Sequence, residues 1–191
     1  MPALSEALLP RMPALPADVL TYWLSAGPAK WFARNDRFDD AIRLRFEPTH
    51  HAAARGEYAA WQETADGCAA LLILLDQFPH NLYRGSAHAF ATDPLARSIA
   101  RRAVARGFDE AVDPLLRSFF YLPFEHSEDI GDQKLCIELY ATAGDADGLK
   151  WAKIHFDIIE RFGRFPHRNA ALGRETTPEE QAFLDDGGFA G

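Results

Sequence analysis

The chain has 191 residues, of which 48% are hydrophobic and 25% are charged, and its formal net charge is −8. These values are typical of a globular protein and exclude collagen-like, low-complexity and coiled-coil rod proteins. A chain of this length buries roughly 70% of its unfolded surface, so we expect one domain with one core. The acidic balance disfavours a nucleic-acid partner and disfavours docking on an anionic membrane.

The cysteines and the apolar runs indicate a reduced, cytoplasmic protein. Cys68 and Cys136 lie far apart and form no CxxC pair, so both thiols are expected in the core. The longest apolar run, residues 68–75, is far shorter than the roughly 20 residues that a membrane span requires. The N-terminal segment has no cationic start followed by an apolar stretch, so no secretory signal is predicted.

Helix signals extend over most of the chain. We predict an irregular leader at 1–16, a single helical domain at 17–185 and a flexible tail at 186–191. Runs of alternating apolar residues are missing, so no strand is expected. The predicted helices lie near 17–26, 36–46, 48–55, 66–78, 93–106, 113–121, 132–143 and 146–162, with a short one at 177–185.

Three dipeptides that end in proline predict helix starts: Asp93-Pro94, Asp113-Pro114 and Thr177-Pro178. Each places a capping side chain before a proline, which suits the first helical position. Thr177 and Glu180 also match a capping box. Residues 68–75 are apolar on all sides and predict a central helix that its neighbours cover. The fold class is therefore all-α, a compact stack of antiparallel helix pairs.

Three polar residues lie on apolar faces of separate predicted helices: Asp76, Gln133 and His155. A buried carboxylate without a partner is costly, so Asp76 requires one. Each residue alone is most often a satisfied polar group of the core. Three of them on independent helices shift the balance towards a shared polar pocket, which we expect near the loop 161–174.

The segment LPFEHSE (122–128) places Glu125 and Glu128 around His126. Carboxylates raise the basicity of an imidazole and fix its tautomer, as a general base or a metal ligand requires. A hydrogen-bond network at a helix end explains the pattern equally well. A metal site built from Asp76, His126 and His155 has no diagnostic spacing, so we predict neither a metal nor another cofactor.

The segment RFGRFPHRNAALGR (161–174) combines cations with apolar residues that require burial. Long irregular loops with such residues are usually functional. Its guanidinium and imidazole groups could clamp a carboxylate or a phosphate, or they could neutralise acidic side chains inside the protein. The candidate ligand residues of this loop are Arg161, Arg164, His167, Arg168, Asn169 and Arg174.

An earlier segment repeats part of this pattern. Residues 78–81 read FPHN and residues 165–169 read FPHRN, and both stretches follow long predicted helices. Two similar helix exits could meet around one site. The earlier exit would then contribute Gln77, His80, Asn81 and Arg84 beside Asp76.

Signatures such as GxSxG, Walker A, GxGxxG and HExxH are missing. Four longer segments, however, resemble the bacterial family catalogued as domain of unknown function 924: LLDQFPHNLYRG (74–85), AFATDPLA (89–96), FFYLPFEHSED (119–129) and RFGRFPHRNAALGRETTPEE (161–180). The resemblance extends over about residues 17–185. It implies an all-helical fold like that of tetratricopeptide-repeat proteins and implies no established activity. His80 departs from the arginine that is usual in that motif.

Three functions remain open from the sequence. The first is a helical protein that binds a small anionic ligand or an acidic peptide end in a polar pocket rich in Arg and His. The second is an acid–base or metal-assisted enzyme that uses the histidine–carboxylate cluster around His126. The third is a structural or interaction module without a ligand. The sequence does not predict the oligomeric state.

Overall fold

The computed structural model describes residues 14–189, and within this range the chain is all-helical and contains no strand, as predicted. The predicted leader lies outside the described residues except for 14–16, and so do the last two residues of the predicted tail. The helices are α1 (Pro16–Ala26), α2 (Pro28–Trp31), α3 (Asp36–Ala54), α4 (Ala65–Leu72), α5 (Phe78–Leu82), α6 (Asp93–Ala105), α7 (Leu122–Glu125), α8 (Ile130–Ala143), α9 (Ala146–Phe162) and α10 (Pro178–Asp185). Short 3₁₀ segments lie at Ala59–Glu63, Ala87–Phe90, Pro114–Phe120 and Pro166–Arg168.

The predicted central helix forms the core of the protein. Every side chain from Cys68 to Leu75 is buried, and α1, α6 and the segment Ala59–Glu63 pack around α4. The helical path extends beyond its predicted end at residue 78, because α4 continues through a π turn, Ile73–Gln77, into α5. This continuous element therefore carries the chain from the core to the polar residues that follow it.

The π turn has a local cause in Pro79. A proline ring clashes with the carbonyl four residues earlier, and a widened turn relieves that clash. Here the backbone N–H of Phe78 donates to the oxygen of Ile73, five residues back. The neighbouring carbonyls find partners outside the helix: that of Leu74 accepts from Nδ1 of His50 at 2.8 Å and that of Leu75 from Oγ1 of Thr92 at 2.5 Å. Such turns occur frequently at functional sites.

Two helix predictions are wrong in detail. The expected helices at 36–46 and 48–55 form one helix, α3, with Pro48 inside it. Pro48 is exposed while Phe46 and His50 are buried, so packing on both sides holds the helix together despite the missing N–H. The expected helix at 113–121 is the 3₁₀ segment Pro114–Phe120, in which the N–H of Leu116 donates to the carbonyl of Asp113 at 2.7 Å.

Of the three predicted helix caps, two are confirmed and one is wrong. Asp113 caps the N–H of Leu115 at 2.9 Å, and Thr177 with Glu180 forms the expected capping box. The prediction for Asp93 is wrong, because the capping position belongs to Thr92 and Asp93 lies in the first turn of α6. Its carboxylate is buried and faces other side chains instead of the helix end.

A smaller apolar cluster covers the C-terminal part of the fold. The buried residues Ile158, Ile159 and Phe165 pack with half-buried side chains that include Phe183 and Phe189. α9 ends at Gly163, whose φ of 70° is the left-handed conformation that favours glycine. Among the described helices, none has both the length and the apolar character needed to cross a membrane.

Candidate functional site

Five polar residues from five separate elements meet beside the π turn. We call Asp76, His80, Asp93, His126 and Arg168 the inner cluster. The π turn carries Asp76, α5 carries His80, the first turn of α6 carries Asp93, His126 follows α7, and the segment Pro166–Arg168 carries Arg168. Four of the five were predicted site residues, and the two FPH exits do meet here.

Asp76 and His126 form the centre of the inner cluster. Nδ1 of His126 donates to Oδ1 of Asp76 at 2.9 Å, and Asp76 is 1% exposed. Burial raises the pKa of Asp76, but the charge and hydrogen bond of His126, with the charge of His80, outweigh it and hold that pKa below its usual value. Burial lowers the pKa of His126, but Asp76 outweighs that effect and holds it above its usual value. The pair therefore favours an imidazolium beside a carboxylate.

His80 and Asp93 face each other without a well-formed hydrogen bond. Nε2 of His80 lies 3.4 Å from Oδ1 of Asp93, and neither buried atom has a hydrogen-bond partner in the structure. The His80 ring also lies 4.7 Å from the His126 ring, centroid to centroid. Unpaired buried polar atoms are rare and costly, so this pair is the least satisfied part of the inner cluster.

Arg168 lies on the other side of Asp93. Its guanidinium packs against the rings of Phe90 and Phe165, at 4.4 and 4.6 Å from their centroids. Nη1 lies 3.5 Å from Oδ2 of Asp93, and the buried Nε has no hydrogen-bond partner among the described residues. Burial lowers the pKa of Arg168, while the nearby carboxylate of Asp93 opposes the shift. The arginine is thus buried, charged and incompletely hydrogen-bonded.

Gln77 and Gln133 hold the inner cluster in place. Nε2 of Gln77 donates to Oδ2 of Asp76 at 2.5 Å and so fixes the orientation of that carboxylate. Gln133 is fully buried in α8, and its Nε2 donates to the carbonyls of Glu125 at 2.6 Å and Ser127 at 2.7 Å. Gln133 therefore positions the backbone on both sides of His126 and does not contact the cluster with its side chain.

The hydrogen-bond partner of His126 is Asp76 and not Glu125 or Glu128, although the charge of His126 still acts on the nearby carboxyl of Glu125. Oε1 of Glu125 instead lies 3.4 Å from Nδ1 of His155, which donates to the carbonyl of Trp151 at 2.9 Å. Burial raises the pKa of Glu125 to about 7 and lowers that of His155 to about 4. His155 is a satisfied core histidine, as most such residues are.

The outer arginines of the loop 161–174 are paired with carboxylates. Arg174 binds Glu128 through two bonds of 2.8 Å, and Glu128 also accepts from the N–H of Phe165. Arg164 makes two bonds to Glu180, at 2.6 and 2.8 Å. Two further candidate residues of the loop are also bonded: Arg161 to Glu179 at 3.1 Å and Asn169 to Glu180 at 3.2 Å.

These bonds supply the internal neutralisation that the sequence left open for Arg161, Arg164 and Arg174. Arg164 and Arg174 also line a surface groove of about 520 Å³ that Glu175–Pro178 complete. Because each of these guanidiniums already makes two hydrogen bonds to a carboxylate, the groove offers few free donors for an anion. Arg168 is the exception in this loop.

Three further predicted residues, Asn81, Arg84 and His167, have side-chain partners outside the inner cluster. Asn81 and Arg84 both bind Asp39, at 2.8 and 3.0 Å, and so connect α5 to α3. His167 packs against the rings of Phe165 and Phe189, and burial lowers its pKa to about 3. The FPHN segment therefore divides between two roles, with His80 in the cluster and Asn81 in a structural bond.

Sequence reasoning missed Asp93 as a member of the site. An Asp before a Pro has the signature of a helix cap, and only the structure shows that Thr92 takes the capping position. The resemblance segment AFATDPLA (89–96) was the one available signal, since it includes both Asp93 and Phe90.

Comparison with known proteins places the chain in a family. The model of a bacterial protein family of unknown function, DUF924, matches residues 19–188, a range that includes the whole inner cluster. The chain belongs to the DUF924 family.

This DUF924 chain is also similar to a solved structure, that of the protein of unknown function ATU0120 from Agrobacterium tumefaciens. The two are 51% identical, the match covers 90% of this chain and 97% of the other, and the TM-score is 0.87. None of the curated proteins matches the chain. Any role of the inner cluster must therefore be argued from its geometry.

Proposed function

We propose that this DUF924 protein binds a small anionic molecule at the inner cluster, with Arg168, His80 and His126 as donors. The observation that carries the proposal is the state of Arg168. Its side chain is 8% exposed, and among residues 14–189 its carboxylate contact is 3.5 Å long and its Nε has no hydrogen-bond partner. A phosphate or carboxylate oxygen would supply the missing acceptor.

The surroundings of Arg168 strengthen such a bond. Phe90 and Phe165 cover the guanidinium, and hydrogen bonds to charged groups are stronger where water is excluded. The imidazoles provide the route from solvent, because the side chains of His126 and His80 are 16% and 25% exposed.

The charges of the inner cluster set the character of the site. The carboxylates of Asp76 and Asp93 oppose the guanidinium and the imidazolium of His126. Recognition of an anion therefore depends on well-placed donors and not on an excess of positive charge. We expect binding to weaken as salt rises, because the ligand itself is charged.

A thermal-shift panel of phosphate, nucleotides, monocarboxylates and dicarboxylates tests the proposal. At least one of these anions should raise the melting temperature of the wild type, since a ligand at 100 times its Kd stabilises a fold by about 2.7 kcal/mol. Arg168→Lys keeps the charge but loses the donor geometry, so its response should be lost. Arg164→Lys is the matched control, and its response should remain.

A purely structural role for the loop makes the opposite prediction. Flat responses to every anion, together with reduced stability of both lysine variants, would mean that the inner cluster is an internal ion-pair network.

A further inference from the structure

We infer that the inner cluster also holds a divalent transition-metal ion, ligated by Asp76, His80 and His126. These three residues can each offer one ligand atom such that all three atoms lie within 4.8 Å of one another. This departs from the expectation of no metal, which rested on sequence spacing. The three ligands come from the π turn, from α5 and from the residue after α7, so no linear motif encodes them.

The geometry is close to that of a bound ion. Ligand atoms at about 2.0–2.1 Å from a tetrahedral zinc ion lie about 3.3 Å apart. Oδ1 of Asp76 and Nδ1 of His126 are already 2.9 Å apart, and an ion would replace the proton between them. A ring nitrogen of His80 lies within 4.8 Å of a ligand atom of each of the other two residues. Both histidines are partly exposed, which leaves an entry path.

Two further contacts support the ligand set. Gln77 donates to Oδ2 of Asp76, the kind of outer hydrogen bond that orients a metal-binding carboxylate. Nε2 of His80 and Oδ1 of Asp93 are buried 3.4 Å apart, and neither has a hydrogen-bond partner within the described part of the chain. A cation beside them would satisfy the His80 nitrogen and offset the charge of Asp93, which lies outside the set of three ligands.

Charge and ligand type define the class of ion. When an ion replaces the proton of His126, the carboxylates of Asp76 and Asp93 outnumber the guanidinium of Arg168, so the cluster around the ion is negative and stabilises a cation. Imidazole nitrogens favour zinc and similar transition metals, whereas magnesium and calcium prefer oxygen ligands. We therefore expect zinc to bind and magnesium not to bind.

The metal site extends the proposed function but does not rest on it. A divalent ion would add positive charge next to Arg168 and so favour an anion between them. The ion needs only its own ligands, however, and can bind when no anion is present. The two proposals are therefore tested by different probes and by different variants.

Isothermal titration of Zn²⁺ into chelator-stripped full-length protein, in a buffer without phosphate or carboxylate, tests the inference. We expect one ion per chain, confirmed by native mass spectrometry, and no heat with Mg²⁺. His80→Gln and His126→Gln should each weaken zinc binding by more than about tenfold. His88→Gln is the control, because His88 is exposed and lies outside the cluster.

Circular dichroism of each variant separates lost ligation from lost folding, and partly exposed His80 is the safer position. No zinc binding by the stripped wild type would overturn the inference, and so would unchanged zinc affinity in a folded His80→Gln variant. Neither result would affect the anion proposal, whose thermal-shift panel can be run on metal-free protein after the chelator, itself a carboxylate, has been removed.

Discussion

Glu180 fixes the loop 161–174 to α10. Its carboxylate accepts two bonds from Arg164, one from Asn169 and one from the N–H of Thr177. The hydrogen bond from Arg164 outweighs the opposing effect of burial, and the pKa of Glu180 falls to about 2. This single residue therefore holds the segment that presents Arg168.

Glu180→Gln should lower stability in a pH-dependent way. The folded pKa of about 2 lies below the ordinary value of 4.5, so the stabilisation is complete above pH 4.5 and is lost as the pH falls towards 2. The difference in urea midpoint between wild type and variant should be larger at pH 7 than at pH 3. Glu179→Gln is the control, because its pair with Arg161 is exposed and should contribute little. Equal differences at both pH values would contradict the role given to Glu180.

For single residues, the sequence predicted which polar side chains are buried. It did not predict which of them bond to each other. Asp76, Gln133 and His155 were expected on apolar faces, and all three are buried. The partners could not be predicted, because His126 bonds with Asp76, 50 residues away, and not with the adjacent Glu125. Pairing across that separation depends on how helices dock, which local patterns do not encode.

The π turn is the element that positions the site. Side chains outside the helix donate hydrogen bonds to the carbonyls that the π turn displaces. One of them is Thr92, at the start of α6, whose hydroxyl donates to the carbonyl of Leu75. Because Asp93 follows Thr92 directly, this bond also sets the distance between Asp93 and the π turn.

Thr92→Val should cost about 1–3 kcal/mol in the free energy of unfolding, since a buried carbonyl loses its donor while the side-chain shape is kept. Thr142→Val provides the comparison, because Thr142 is exposed in α8. Urea denaturation of both variants measures the difference. If Thr92→Val is no more destabilising than Thr142→Val, the bond does not support the π turn.

The central position of α4 and the π turn leads to a second prediction, which concerns the buried leucines of these two segments. Leu72 and Leu75 are fully buried, so Leu72→Ala or Leu75→Ala should cost about 2–5 kcal/mol through cavity formation. Leu115→Ala should change stability by less than about 0.5 kcal/mol, since Leu115 is 54% exposed. Unchanged melting temperatures in both core variants would show that the helix is not central.

Helix existence was predictable, whereas helix continuity was not. The apolar run at 68–75 and the capping box at Thr177 each predict a helix through local chemistry. Pro48 and Pro79 have the signature of helix ends, yet both lie within helical paths. Packing of the flanking residues outweighed the local cost of each proline, and the sequence alone does not show that packing.

At the scale of the whole molecule, the core is divided unequally. The large apolar cluster surrounds α4, and the small cluster of Ile158, Ile159 and Phe165 supports the C-terminal part. The inner cluster draws Asp76 and His126 from segments of the large cluster, while Arg168 follows a residue of the small one. Its geometry therefore depends on the docking of the two parts.

Hydrogen exchange should reveal this division. Amides of α4 and the π turn should exchange slowest, through global unfolding, because buried side chains surround them. Amides of α10 should exchange faster by local opening, since Glu180 is its one buried residue. Peptide-resolved mass spectrometry measures both regions. Equal protection of α10 and α4 would mean that the two clusters unfold as one unit.

The fold class could be predicted from helical periodicity, and the segments of the site from their polar residues. The choice between a ligand site and an internal network could not be predicted, because both require the same residues. The structure distinguishes the arginines of the loop. Arg164 and Arg174 each make two hydrogen bonds to one carboxylate, whereas Arg168 makes a single contact of 3.5 Å and leaves its Nε unbonded among the described residues.

The side-chain Nε–H signals of the arginines, observed by NMR in protein labelled with ¹⁵N-arginine, test the central claim most directly. During a titration with inorganic phosphate, the signal of Arg168 should shift and saturate, while those of Arg164 and Arg174 stay in place. Assignment follows from Arg168→Lys and Arg164→Lys, each of which removes one signal. A static Arg168 signal, or equal shifts of all three that follow ionic strength alone, would contradict an anion site at the inner cluster.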